Sequence, residues 1–430
     1  MRVLNIIGSD EPSNIWWYRT KHLKELGVDI HLLLPNKCRM SELAEEMGIP
    51  VYFAPIMSGS ITRSFIKKRL IDLEALREVR KFRLKKWDIV LCDLPRASFF
   101  ARISLRDSAP IITVYHSPDF FQPHIRFMER LMHHRDSAAI AISNAVKLHI
   151  VGYLAVPSNR IKVIYNGLEV EDLDKIPPNP HHLQNELSLP PSTPIFTMIG
   201  HFYIEKRKRH ELFLESARKL LEKERDVHFV IVGWHDGTGK SLSYMDSVME
   251  YAHKLGLGEN VHFLGRRKDI ANILDSSICL VHPSILEGFG MVLLEAMARR
   301  KPVIGVRHWA IPEVVKDGET GIIVEPDNPE LLAEAMLKIL HSPQMAREMG
   351  EKGRERLERY FTARKMGEEY AKFLRSRKPG ARSQKSEART QEPGKKPGDR
   401  SQEPEARSRQ EAGSQKPGLR SPEPGRREDK

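Results

Sequence analysis

The chain has 430 residues, 40% of them apolar and 29% charged, with a net charge of +12; that length suffices for two domains with separate cores. No apolar stretch approaches ~20 residues, which argues against a membrane-spanning helix, and the opening MRVLNIIG has a strand pattern without the layout of a secretion signal. Cys38, Cys92 and Cys279 are too scattered for a disulfide framework or a metal site, so a cytoplasmic protein is expected.

In chain order, the first half offers VLNII, DIHLLL, VYFAPI, DIVLC, IITVYH, AIAIS and IKVIY as strands. The second half offers IFTMIG, HFVIVG, VHFLG, ICLVHPS, PVIGV and GIIVE. These runs are continuously apolar rather than alternating, and helical patterns separate them. Each half therefore reads as a doubly wound α/β domain around a buried parallel sheet. Residues 1–170 form the first expected domain, a proline-rich linker occupies 171–194, and the second domain fills 195–375. A last helix near 362–374 places Met366, Tyr370 and Phe373 on one face and should pack. From 376 onward Val, Ile, Phe, Met, Trp, Tyr and Cys are all missing, so 376–430 is expected to be a disordered, basic, low-complexity tail that catalysis does not need. That tail carries fifteen Lys/Arg against nine Asp/Glu, and residues 60–90 carry ten against four. The remainder is close to neutral, which argues against a nucleic-acid-binding core.

The stretch GWHDGTGKS, Gly233 to Ser241, approximates a phosphate-binding loop. Its spacing is wrong: five residues rather than four separate Gly233 from Gly239, and Trp234 stands where the first glycine belongs. Lys240 is therefore placed on a solvated loop.

More chemistry lies in HPSILEGFGMVLLEAMARRKPVIGV, His282 to Val306. The segment Met291 to Ala298 is apolar on every side except at Glu295, so this helix should be buried and its carboxylate needs hydrogen-bond donors. Ligand hydroxyls can supply them. Gly288, Phe289 and Gly290 let backbone N–H groups approach a ligand at the positive end of the helix, and Glu287 sits at that mouth. Spacing alone leaves open a plainer reading, in which Glu287 caps the helix and Glu295 meets an internal arginine.

The stretch EGFGMVLLEAMA is similar to the Glu, seven residues, Glu signature of the retaining glycosyltransferases of family 4 (group 1). The resemblance runs over about residues 1–375. It includes, in order, AISNAVKLHIVGYLAVPSNRIKVIYNGLEV, IGHFYIEKRKRHELFLESARKL and IPEVVKDGETGIIVEPDNPELLAEAM. It implies the GT-B architecture, two Rossmann-like domains facing across a cleft. Residue by residue, it implies Glu295 on the ribose hydroxyls of a sugar nucleotide and Glu287 on the hydroxyls of the transferred sugar. Lys206 would grip the diphosphate, and the backbone N–H groups of Gly288, Phe289, Gly290 and Met291 would hold sugar and phosphates. His116 would sit at the donor sugar, and backbone around Gly265, Arg266 and Arg267 would read the base.

Two departures stand out. Gly200-His201 replaces the family's Gly-Arg, so His201 or a neighbour such as Arg207 is expected to substitute at the donor. Trp309-Ala310 replaces a glycine pair before IPE. In the loop after the first strand, Trp16 and Trp17 either shape an acceptor site or pack against the cleft.

The resemblance implies transfer of a hexosyl-type unit from a nucleoside-diphosphate sugar to the hydroxyl of a glycan or lipid-linked acceptor, with retention. No metal and no cofactor beyond that co-substrate are expected, and Asp172-Leu173-Asp174 is read as solvated linker. An epimerase or phosphorylase on the same fold stays open, as does a non-catalytic sugar-nucleotide-binding protein. The basic stretch SFIKKRLIDLEALREVRKFRLKKW places Ile66, Leu70, Leu73 and Leu76 along one stripe. It is either an ordinary surface helix or a peripheral contact with an anionic membrane at the inner face.

Overall fold

The computed structural model describes residues 1–9, 13–56, 65–116, 123–203, 205–235 and 237–379. The expected tail lies outside the described residues from 380 onward. All thirteen apolar runs form strands. The first sheet contains β1 (Arg2–Ile7), β2 (Asp29–Leu34), β3 (Val51–Phe53), β4 (Ile89–Asp93), β5 (Ile111–Tyr115), β6 (Ala138–Ala141) and β7 (Ile161–Val163), in the order β3-β2-β1-β4-β5-β6-β7. The second contains β8 (Ile195–Ile199), β9 (His228–Val232), β10 (Val261–Gly265), β11 (Cys279–His282), β12 (Val303–Val306) and β13 (Gly321–Val324), in the order β10-β9-β8-β11-β12-β13. Every pairing is parallel. Helices cover both faces, which is why these strands carry apolar side chains in both directions.

Strand order reverses between β1 and β4 and again between β8 and β11. Doubly wound sheets bind ligands beyond the carboxyl ends of their strands at such switch points. The segments that matter follow those ends: Asp93 closes β4, His116 follows β5, Gly200 follows β8, and Glu287 lies five residues beyond β11.

The expected linker is more structured than its prolines suggest. It holds the helices Val170–Asp174 and His182–Glu186. Leu183 is buried with Ile195, Val230, Val232 and Ile273, and its N–H donates to the Ser276 hydroxyl at 3.1 Å. Residues from about 182 therefore pack as part of the second domain. Asp174 is not simply solvated either, because Arg354 donates to both of its oxygens at 2.7 Å. Asp172 pairs with Lys175 at 3.1 Å.

The chain crosses between domains twice, side by side. Leu168 and Ala363 exchange backbone bonds across the joint, with Leu168 N–H on Phe361 O and Ala363 N–H on Leu168 O, both at 2.8 Å. A β carbon on Gly167 would lie 2.3 Å from the Thr362 carbonyl oxygen, so only glycine fits there. The helix Ala363–Arg377 then returns to pack on Asn14–Glu25 of the first domain, with Met366, Tyr370 and Phe373 buried as their spacing predicts. Among the described residues no helix is long and apolar enough to cross a membrane.

Candidate active site

The helix Met291–Ala298 buries Leu293, Leu294, Ala296, Met297 and Ala298. Its N-cap, Gly290, has φ +88°, a left-handed conformation that glycine adopts without a steric penalty. The preceding loop is pressed against the first domain. A β carbon on Gly288 would lie 2.4 Å from the His116 carbonyl oxygen, and the Ser143 hydroxyl donates to the Gly288 carbonyl at 2.8 Å. Phe289 is buried against Tyr165 and Phe361, ring centroids 5.8 and 5.6 Å away. Phe289 thus anchors the loop to the joint through its side chain, leaving only its backbone for a ligand.

These residues border a cleft cavity of about 740 Å³, within the usual range for small-molecule sites. From the second domain Glu287, Gly288, Phe289, Gly290, Met291, Glu295, Gly200, His201 and Arg266 reach it, and from the first His116 and Trp16. Of the residues expected at the donor, Lys206 alone does not.

The two glutamates differ in electrostatic state. Glu287 accepts from Lys208 Nζ at 2.5 Å and from His282 Nε2 at 3.1 Å. Burial by itself would raise its carboxyl, but Lys208 and His282 outweigh that and hold it well below the usual carboxylate range. Glu295 is half-buried, and no hydrogen bond to its carboxylate is formed among the described residues. Burial, with no cation to offset it, pushes its pKa up to about 7. The internal arginine that would have made Glu295 structural is not at this carboxylate.

The cationic side of the cavity corrects the sequence reading. Lys206 is exposed and bonds Glu211 at 2.9 Å on the far side of its turn. Lys208 points inward instead, with its stem 3.3 Å from where a β carbon on Gly200 would stand. Next to it, Arg209 adopts φ +60° and opens the helix His210–Leu221. Arg207 also borders the cavity and lies over the Tyr203 ring at 3.9 Å. His201 is a poor substitute for an arginine, because crowding by protein and then the charge of Lys208 lower its basicity and leave it neutral at pH 7.

In the first domain, His116 Nε2 lies 2.7 Å from Asp93 Oδ1. Asp93 is fully buried and held by Arg19, which donates at 2.9 and 2.5 Å, and by the Asn5 amide at 2.8 Å. Burial opposes its charge, yet Arg19 and His116 keep the carboxyl well below its ordinary range. An ionised Asp93 can only accept at this contact, so it pairs with His116 when Nε2 carries the proton. The Trp16 indole nitrogen is 3.0 Å from that same nitrogen, and its ring meets the imidazole edge-on. Trp16 is therefore both packed and part of the cleft wall, whereas Trp17 is half-buried and does not border the cavity.

Gly233 is a glycine for packing reasons, since a β carbon there would lie 2.0 Å from the Gly200 carbonyl oxygen. Lys240 stands exposed in the first turn of the helix Gly239–Lys254, away from the cavity. It occupies a helix rather than the expected loop. Trp309 adopts φ +48°, in the left-handed region that favours glycine, and its ring centroid lies 5.2 Å from that of His149.

Two family models match the chain in tandem: Glycosyltransferase Family 4 over residues 16–172 and Glycosyl transferases group 1 over residues 182–356. The N-acetyl-alpha-D-glucosaminyl L-malate synthase of Bacillus anthracis is 26% identical over 277 residues, covering 64% of this chain and 69% of that enzyme. The putative glycosyltransferase EpsD of Bacillus subtilis is 23% identical over 366 residues, 81% of this chain and 89% of that protein. Among solved structures, Anabaena HepE in complex with UDP and glucose superposes with a TM-score of 0.73 at 19% identity, covering 87% of this chain and all (100%) of that one. A glycosyltransferase from Rickettsia africae gives 0.72 at 20% identity, with 87% and 98% covered. Matched in both halves and built from two such sheets, the chain belongs to the group 1, family 4 glycosyltransferases of the GT-B fold.

Proposed function

We propose that the chain transfers a hexosyl-type unit from a nucleoside-diphosphate sugar to an acceptor hydroxyl, with retention at the anomeric carbon and without a metal ion. The observation that carries this reading is the pair of glutamates in one cleft, one charged and held by Lys208, the other unpaired and titrating near 7. In this reading the ribose hydroxyls donate to Glu295 and satisfy the carboxylate that the protein leaves bare. Glu287, fixed by Lys208 and His282, accepts from hydroxyls of the transferred sugar.

Lys208, Arg207 and Arg266 surround the place for a diphosphate. Their charge, with the N-terminus of the helix Met291–Ala298, stabilises the negative charge that develops on the leaving group. That supply of positive charge is the argument for metal independence. The departing oxygen then accepts the proton of the acceptor hydroxyl on the same face, which gives retention. His116, held by Asp93, faces the sugar from the first domain. HepE is described in complex with UDP-glucose, so uridine donors are the first to test. The acceptor is taken to be a glycan or a lipid-linked sugar. The exposed Leu70 and Leu73 on the basic helix Phe65–Arg80 support a peripheral contact with an anionic inner membrane face, while Leu76 turns partly inward and the Ile66 side chain lies outside those described. Incubation with a panel of nucleotide sugars, with and without EDTA, tests donor and metal together. Nucleotide release that EDTA abolishes would refute metal independence.

A further inference from the structure

Glu313 lies on the short helix Ile311–Val314 of the second domain, yet its carboxylate is bound by the first domain. Oε1 accepts from the Ala145 N–H at 2.7 Å, and Oε2 from the Asn144 N–H at 2.8 Å. The Asn144 side-chain amide at 3.0 Å and the Tyr165 hydroxyl at 3.1 Å complete the set on Oε2. These two backbone amides open the helix Asn144–Leu154, whose third N–H, from Val146, is taken by Ser143 at 3.1 Å. A helix normally finds such partners in its own sequence or in water. Here a negative charge from the other domain supplies them at the positive end of the helix.

The contact is tied to the site at both ends. On the first-domain side, Ser143 also holds the Gly288 carbonyl at 2.8 Å. On the second-domain side, the Ala310 N–H donates to the Glu287 carbonyl at 3.3 Å. Arg356 fixes the Glu313 segment from behind by donating to the Val314 and Glu313 carbonyls, both at 2.8 Å. Parting the domains would break all four bonds to the carboxylate at once.

We infer that Glu313 is a positioning residue: it latches the Glu287–Gly290 loop against His116, so that one donor is gripped from both domains. The kinetic part of this inference rests on the glycosyltransferase reading; the structural part does not. Nucleotide affinity, set by second-domain groups, is largely independent of the latch.

The test uses the full chain carrying Glu313→Gln or Glu313→Ala, with Glu319→Ala as an exposed control on the same domain. Hydrogen exchange over residues 142–150 should lose roughly tenfold or more in protection for Glu313→Ala and less for Glu313→Gln. Uridine diphosphate affinity should stay within about twofold, while transfer falls by roughly 10- to 100-fold and the ratio of donor hydrolysis to transfer rises. Unchanged protection in both variants would overturn the latch. Lost protection with wild-type transfer would overturn the positioning role. A wild-type chain that turns over no nucleotide sugar would refute the proposed function, and the exchange data would still decide the latch.

Discussion

Replacing Lys208 by alanine removes the cation that stands 2.5 Å from Glu287. Both side chains are largely shielded, 15% and 16% exposed, so the abandoned carboxylate is only partly rescued by water. Deleting one partner of a fully buried pair costs about 3–5 kcal/mol. His282 still donates to Glu287 at 3.1 Å, and some solvent reaches the site, so about 1–3 kcal/mol is expected, a loss of a few degrees in melting temperature. The effect on turnover should be larger in kind, because in the proposed transfer Lys208 faces the developing charge on the diphosphate: roughly 10²- to 10³-fold in kcat. Lys206→Ala is the internal control. Lys206 is 58% exposed; it pairs with Glu211 and lies 5.2 Å from the centre of the Tyr244 ring, surface contacts worth about 0–1 kcal/mol each, so both melting temperature and kcat should stay near wild type. Thermal unfolding and initial-rate assays on the two variants decide the matter. A Lys206 variant as impaired as the Lys208 one would return the diphosphate to Lys206 and refute the assignment.

Glu295→Gln should stabilise the protein and weaken nucleotide binding at the same time. The folded-state pKa is raised from 4.5 to about 7, so the wild-type carboxyl destabilises the fold increasingly between those values and fully above 7, on the order of 3 kcal/mol or less given partial exposure. Melting temperatures should therefore match at pH 4 and diverge by pH 8, with glutamine higher; equal values at pH 8 would contradict the unpaired carboxylate. Calorimetry should also show proton release from Glu295 when nucleotide binds near pH 7. Asp93→Asn leaves Arg19 buried without its counter-charge and should cost about 3–5 kcal/mol, whereas replacing Arg19 and Asp93 together by apolar residues should cost less than the two single changes summed. Since the Asp93 pKa is lowered on folding, its stabilisation is present above the unfolded value near 4 and is lost only as pH falls through the lower folded value; an early loss of structure at pH 5 from this pair would contradict that sign. Sedimentation with anionic vesicles should show binding that falls with salt and is weakened by Leu70→Glu with Leu73→Glu; neutral and anionic vesicles binding alike would remove the membrane contact.

Continuous apolar runs flanked by helical patterns made all thirteen strands legible, because a parallel sheet covered on both faces leaves no polar alternation. The signature around Glu287 and Glu295 was equally readable, since only one charge interrupts the apolar segment Met291 to Ala298. What the sequence hid was anything decided by the backbone path. Four consecutive basic residues run from Lys206 to Arg209, and the left-handed backbone at both Lys206 and Arg209 decides which lysine faces the cleft. Asp93 and His116 are 23 residues apart and meet because β4 and β5 are neighbours in the sheet. Glu313 and Asn144 are separated by 169 residues, a pairing that exists only once the two domains face each other. The prolines of 171–194 concealed Leu183, one buried side chain that assigns its helix to the second domain.

In the proposed reaction, sugar leaves a nucleotide held on Glu295 and reaches an acceptor on the face it left. Proton NMR of a reaction with an α-linked nucleoside-diphosphate sugar reads this directly. The expected outcome is free nucleoside diphosphate together with an α-linked product, both abolished or strongly slowed in Glu287→Ala. A β-linked product, or transfer at the wild-type rate without Glu287, would contradict it.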